Sequence, residues 1–265
     1  MGSLISNNIP QQSNSAPICG VVLTKNEERH IAGCLSTLRW VDELIVFDSF
    51  STDRTVELAI QSGARVIQHQ FENFAQQRNA ALAAVTSHWV FFLDADERCT
   101  EELALEIRAA VQAADHAVWS TPRDNYLFGH LMRGAGYYPD YQARLFQVGH
   151  AMFDPGREVH ELPVFEGRPG YLEHTLIHYN YETVNQFHEK QRLYSELDAR
   201  ILYKQGVRPK SRNYVLQPVR EFYRRYITLQ GYRDGLPGLR LCVLLAYYTL
   251  DKYRRLHQMW QIRSV

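Results

Sequence analysis

The sequence predicts an α/β protein: a mostly parallel sheet flanked by helices, with a helical extension at the C-terminal end. Three observations predict it. Short β-rich runs alternate with helical patterns from Ile18 into a helix that begins at Thr100, the pattern of parallel strands joined by crossover helices. One run, Val90-Phe91-Phe92-Leu93, is apolar without a break, as a strand covered on both faces must be. Three strands end in Thr24, Asp48 and Asp94. The C-terminal ends of parallel strands form the rim where open α/β sheets bind ligands.

Taken in order, Ile18–Thr24 (ICGVVLT) is the first strand, and a helix follows with Ile31, Leu35 and Leu38 on one face. Glu43–Asp48 (ELIVFD) is the second strand. Ser49-Phe50-Ser51-Thr52-Asp53 is turn and cap chemistry ahead of a helix starting near Arg54 and stopped by Gly63. Residues 64–68 are the third strand, 74–85 an Ala-rich helix and 89–93 the fourth strand. Thr100 caps the next helix, with acids in its first turn. Beyond Val118 the pattern changes to strands at 118–121 and 143–146, separated by an aromatic- and Gly-rich loop over 126–141. Helical periodicity returns over 183–204, with Phe187, Leu193 and Leu197 expected to face inward.

A chain of 265 residues holds one large domain, or one domain plus an extension. Its 29 basic and 29 acidic residues cancel, which argues against a nucleic-acid partner, since such proteins carry a basic excess. Cys19, Cys34, Cys99 and Cys242 show no zinc-ligand spacing and fit a reducing, cytosolic setting. No apolar run reaches the ~18 residues of a spanning helix, and no secretory signal pattern is present. Residues 1–16 are polar and read as disordered. Met1-Gly2-Ser3-Leu4-Ile5-Ser6 matches a myristoylation pattern, with chance as the plain alternative.

Asp94 and Asp96 follow the fourth strand one residue apart, so in an extended segment they project to the same side. Two hard oxygen ligands so placed suit Mg²⁺ or Mn²⁺ held against a phosphate; the plain alternative is a solvated turn. No G-x-G-x-x-G follows the first strand and no Walker A loop occurs. A nucleotide would be read here by carboxylates and a metal.

Four pieces then occur in order: Leu23-Thr24-Lys25-Asn26-Glu27-Glu28; Ile45-Val46-Phe47-Asp48-Ser49 with Ser51-Thr52-Asp53; Gln77-Arg78-Asn79; and Asp94-Ala95-Asp96-Glu97. With them, residues 18–180 resemble glycosyltransferase family 2, which has the Rossmann-like GT-A fold. The D-A-D-E and V-H-E pieces resemble its bacterial lipopolysaccharide core glucosyltransferases. The resemblance implies an inverting transfer from a nucleotide-sugar, usually UDP-linked, with Mg²⁺ or Mn²⁺ at Asp96 and Asp94. It implies Thr24 and Glu27 lining the nucleoside pocket, Asp48 accepting from the base, and Arg78 near the diphosphate, or else on the helix surface. An inverting transfer needs a general base. The local equivalent of the family's acidic pair is Arg157-Glu158-Val159-His160-Glu161, a departure from the commoner Glu-Asp. Glu161 is favoured, with Glu158 and His160 as alternatives. His178 is either a further metal ligand or a hydrogen-bonded core residue.

The expected division is a polar N-terminus (1–16), a transferase domain (17–207) and a helical extension (208–265). In the last, Val215, Val219, Phe222, Tyr223, Tyr226 and Ile227 recur near helical spacing among Arg220, Arg224 and Arg225. A nearly all-apolar stretch at 239–250 precedes Lys252, Arg254 and Arg255. Aromatic and basic residues around a short apolar helix suit a membrane interface; a hairpin packed on the domain or on a second subunit is the alternative. The reading is a transferase peripheral on the inner face of the cell membrane, with a glycan, lipopolysaccharide-type or other lipid-linked acceptor. An oligomer stays open. Polyprenyl-phosphate glycosyl transfer, nucleotidyl transfer and a non-catalytic membrane adaptor are the rival readings.

Overall fold

The computed structural model describes residues 16–154 and 163–262. The expectations for the polar N-terminus and for Glu158, His160 and Glu161 fall outside these residues.

The first half follows the alternation: β1 (Ile18–Thr24), α1 (Ile31–Ser36), β2 (Glu43–Asp48), α2 (Thr55–Gln61), β3 (Arg65–Gln68), α3 (Phe74–Ala84), β4 (Trp89–Asp94), β5 (Glu97–Cys99) and α4 (Glu101–Ala113). The chain continues through β6 (Val118–Leu127), β7 (His130–Leu131), β8 (Tyr141–Gln147), β9 (Ala151–Phe153), β10 (Pro163–Phe165), β11 (Gly170–Tyr171) and β12 (Leu176–Tyr181). It ends in α5 (Val184–Lys204), α6 (Asn213–Tyr223), a π-helical turn (Arg224–Thr228), a 3₁₀ turn (Gly231–Asp234) and α7 (Gly235–Ile262).

The main sheet runs β3-β2-β1-β4-β8-β6-β12-β5. It is parallel from β3 to β4 and turns antiparallel at β8. Alternation along the central strands sends side chains to opposite faces. Trp89, Phe91 and Leu93 join the core beneath α1 and α4, while Val90 and Phe92 join the core beneath α3. All five are buried, which is why β4 reads as one apolar run.

β6 bends the sheet. Its first half, Val118 to Pro122, pairs with β8, and its second half, Arg123 to Leu127, pairs with β12. Pro122 sits at the changeover, where a residue without an N–H is tolerated. Only Ala95 and Asp96 lie between β4 and β5, although β5 is the far end of the strand order. The sheet therefore curls until its end returns beside the end of β4, and the acidic segment is the link across the gap.

The helices at the C-terminal end share a third core. Phe187 of α5 packs with Leu241, Cys242, Leu245 and Tyr248 of α7, with Leu127 of β6, and with Met132 and Ala135 from the β6–β8 connection. This core crosses the boundary expected at 207/208. In α5 the inward residues are Phe187, Ser195 and Ala199; Leu193 is 55% exposed, against expectation. The inner face has small residues because α7 comes close, Ser195 Oγ donating to the Tyr248 carbonyl at 3.2 Å. Phe187 is buried as apolar periodicity predicts and Leu197 is half-buried, but α5 leaves Leu193 outside. The extension is pinned to the loop after β7 by Asp234, whose carboxylate accepts from the backbone N–H groups of Arg133 (2.7 Å) and Gly134 (2.8 Å). A Cβ on Gly134 would lie 2.3 Å from the Gln230 carbonyl oxygen, so the close approach requires glycine. All four cysteine thiols are buried and unpaired.

Candidate functional site

The register sets the rim. Thr24 stands beside Asp48, and Leu23 beside Asp94, so the three polar strand ends lie together as the sequence implies. The loops after β1 and β2 are sewn to each other. Ser51 Oγ accepts from Asn26 N at 2.8 Å, Asn26 Oδ1 from Thr52 N at 2.8 Å, and Thr55 Oγ1 from Glu27 N at 2.7 Å. Asn26 holds a left-handed backbone (φ 57°), which asparagine tolerates better than most residues. Asp48 is fully buried, and its carboxylate accepts from Ser51 N, Ser51 Oγ and Gln68 Nε2. Thr24 Oγ1 is buried without a hydrogen-bond partner among the described residues, so it has capacity for a ligand. Burial, then the Asp96 charge, pushes the Glu27 carboxyl up to about 7, with Lys190 opposing.

The Asp94–Glu97 link meets side chains from four other elements. Arg144, buried on β8, places Nη2 2.6 Å from Asp94 Oδ2 and also on Glu97 Oε1. Arg78 of α3 faces Asp94 Oδ1 at 3.4 Å and lies over the rings of Phe92 and Phe153. Glu97, fully buried, holds the Asp94 backbone N–H at 3.1 Å and Arg123 Nη1 at 3.2 Å. Arg123 then grips Asp140 at 2.6 Å. Burial disfavours charge on Asp94, but Arg144 and Arg78 outweigh it and hold the carboxyl below its usual range. Asp94 and Glu97 in turn raise Arg144 against its own burial. Arg78 is thus an internal counter-ion and not a helix-surface residue.

Asp96 is arranged differently. Its Oδ2 faces Nε2 of His178, on β12, at 3.5 Å. Burial raises the Asp96 carboxyl, yet the imidazole outweighs it and the net shift is downward. His178 is buried. Among the described residues, no group of three or more His, Cys, Asp or Glu side chains is placed to hold a metal. Asp96 and His178 form a two-donor pair of carboxylate oxygen and imidazole nitrogen, a set that suits Mn²⁺ or Mg²⁺ when substrate phosphates and water complete the shell. Both oxygens of Asp94 are already taken by arginines.

The described chain stops at Asp154 and resumes at Pro163, with Phe153 and Pro163 paired across β9 and β10. Asn79, next to Arg78, holds both backbone groups of Phe153 at 2.8 Å. The end of β9 is thereby fixed beside α3.

Sequence reading missed Arg123, Asn125, Asp140 and Arg144. The available signal was polar residues set inside strands: Arg123-Asp124-Asn125 in β6, and Arg144 between Ala143 and Leu145 in β8. A buried polar group must be paired, so such residues mark a network, although not its partners.

The chain is 28% identical over 260 residues to the lipopolysaccharide core biosynthesis glycosyltransferase LpsC of Rhizobium meliloti, covering 94% of each chain. Among solved structures, S. aureus TarS 1-349 in complex with UDP aligns with a TM-score of 0.47 at 16% identity, covering 92% of this chain and 91% of that one. Glucosyl-3-phosphoglycerate synthase from Mycobacterium tuberculosis, solved with Mn²⁺, UDP and glucosyl-3-phosphoglycerate, aligns with a TM-score of 0.35 at 27% identity, over 42% of this chain and 44% of that one. The family model for glycosyl transferase family 2 matches residues 20–164. That is more than half of the 265 residues, and it spans the rim, the D-A-D-E link and Arg144: the chain belongs to glycosyl transferase family 2 and is a glycosyltransferase.

Proposed function

We propose that this enzyme transfers a sugar, with inversion, from a UDP-sugar to a lipid-linked or lipopolysaccharide-type glycan, assisted by Mg²⁺ or Mn²⁺. The observation that carries the reading is the Asp96–His178 pair, two metal-type donors facing each other on the rim where parallel strands end. The cation would be held by Asp96 and His178, and would supply a Lewis acid for the charge that develops on the leaving diphosphate. Asp94 lies behind it, fixed by Arg78 and Arg144. Thr24, with its unpartnered hydroxyl, and Glu27 line the nucleoside side of the rim, and Asp48 sits at its end. The general base is a carboxylate of the segment after Phe153, Glu161 in first place and Glu158 in second, on the family resemblance. The glycan class of the acceptor rests on the likeness to LpsC.

The test is calorimetric titration with UDP, GDP, CDP and TDP, each with and without Mn²⁺. Metal-dependent binding of UDP above the others is expected. If none of the four binds in a metal-dependent way, the donor assignment fails.

The same reading places the helical extension on the membrane surface. Among the described residues, no helix is long and apolar enough to cross a membrane. On α6, however, Val215, Leu216, Val219 and Tyr223 recur every three to four residues and are 58% to 63% exposed. Arg212, Arg220 and Arg224 flank them, and the helix's one acid, Glu221, is turned inward against Arg224 and Arg225. An outward apolar stripe with basic borders suits the face of an anionic bilayer. Wild type should co-sediment with phosphatidylglycerol-containing vesicles and Val219→Glu should not. Equal sedimentation of the two would remove the contact.

A further inference from the structure

Asn125 has no role in the reading so far, yet it is fully buried beside the candidate cation pair. Its amide nitrogen donates to the Tyr137 carbonyl at 2.9 Å and to Asp140 Oδ2 at 3.0 Å. Both partners are acceptors. The carbonyl has no proton to give, and Asp140 is held ionised by Arg123, which contacts it through two nitrogens at 2.6 and 2.9 Å. The amide nitrogen must face these two, so Oδ1 must face the other way. There it lies 2.7 Å from His178 Nδ1. An amide oxygen only accepts, so the proton of that bond belongs to the imidazole. In its neutral form His178 therefore carries its proton on Nδ1, and Nε2, the nitrogen facing Asp96 at 3.5 Å, keeps its lone pair; only the imidazolium carries a proton there as well.

We infer that Asn125 is a positioning residue that sets the tautomer of His178 and presents Nε2 as a cation ligand. The arrangement runs Arg123, Asp140, Asn125, His178, Asp96, each member fixing the next. An outer partner of this kind fixes the ring and raises the basicity of the liganding nitrogen. The use of the tautomer rests on the cation reading above; the tautomer itself does not.

Two measurements test the inference. Long-range ¹H–¹⁵N spectra at pH 8, with the His178 signals assigned by their loss in His178→Gln, report the tautomer without any metal. A protonated Nδ1 and a bare Nε2 are expected in wild type, and a protonated Nε2 would overturn the inference even if no variant folded. Mn²⁺ titration by electron paramagnetic resonance then compares wild type with Asn125→Leu. The variant should bind Mn²⁺ about 10- to 100-fold more weakly and lose the single tautomer. Unchanged Mn²⁺ affinity in Asn125→Leu would overturn the positioning role, provided that Asp96→Asn or His178→Gln weakens Mn²⁺. If neither of those weakens it, the cation reading fails instead, and the tautomer result still stands or falls by its own spectrum.

Discussion

Replacing Asp96 by asparagine is expected to abolish metal-dependent UDP binding while the fold survives. On the proposed assignment the substitution removes a charged oxygen ligand from a pair with two protein donors among the described residues, so little remains to hold a cation. A cation acting as Lewis acid contributes several kcal/mol to transition-state stabilisation. A fall in kcat/KM of about a thousandfold, or about 4 kcal/mol, is the expected size. Stability should change by less than about 1 kcal/mol, in the range of substitutions that disturb no core contact. Asp96 sits in the two-residue link and its backbone carbonyl still accepts from Tyr179 N; the loss of negative charge beside Asp94 relieves a repulsion. Calorimetry for UDP with and without Mn²⁺, beside thermal melting, checks both halves. A variant that bound UDP with the wild-type metal dependence would sink the assignment of Asp96.

Arg144→Met is expected to act on the fold. It leaves two buried carboxylates, Asp94 and Glu97, without the guanidinium that bridges them. Breaking a buried pair from one side costs about 3–5 kcal/mol, and denaturant unfolding at pH 7 should show a loss of that size. Arg144→Lys keeps the charge but not the fork that reaches both acids, so an intermediate loss is expected. The pH dependence gives the sign. Asp94 has its carboxyl held below the ordinary 3.8. Its ionised form therefore stabilises the fold above that value, and the contribution is lost as pH falls through the lower folded value. The gap between wild type and Arg144→Met should narrow below pH 3.8. A gap that stayed constant down to acid pH would mean that the arginine acts by packing alone.

The first half of the fold was legible because its signals are local. Alternation of periods gave the order of elements, and Asp94 with Asp96 stood out as carboxylates closing an apolar run. His178 was legible as a candidate through the family resemblance alone. The partners of these residues were not legible, since Arg123, Arg144 and Asn125 reach them only because the sheet bends along β6 and curls back to β5. Nothing in a linear pattern encodes that return. For Arg78 the sequence left two readings, a diphosphate contact or a helix-surface arginine, and only the tertiary packing of Phe92 and Phe153 against it shows it to be buried. In α5 Phe187 was legible, but the rest of the buried face is marked by Ser195 and Ala199, which carry little apolar signal, and Leu193 lies outside.

The Asp234 clip bears on the order in which the enzyme is completed. Gly134 and Asp234 are 100 residues apart, and a growing chain presents its N-terminal part first. The loop that carries Tyr137 and Asp140 emerges from the ribosome long before the carboxylate that anchors it has been synthesised. A nascent chain can lay down β1 to β4 and their helices early, while the acceptors that orient Asn125 wait for the 3₁₀ turn and α7 to dock. The turn that anchors this loop is thus made about a hundred residues after the loop itself.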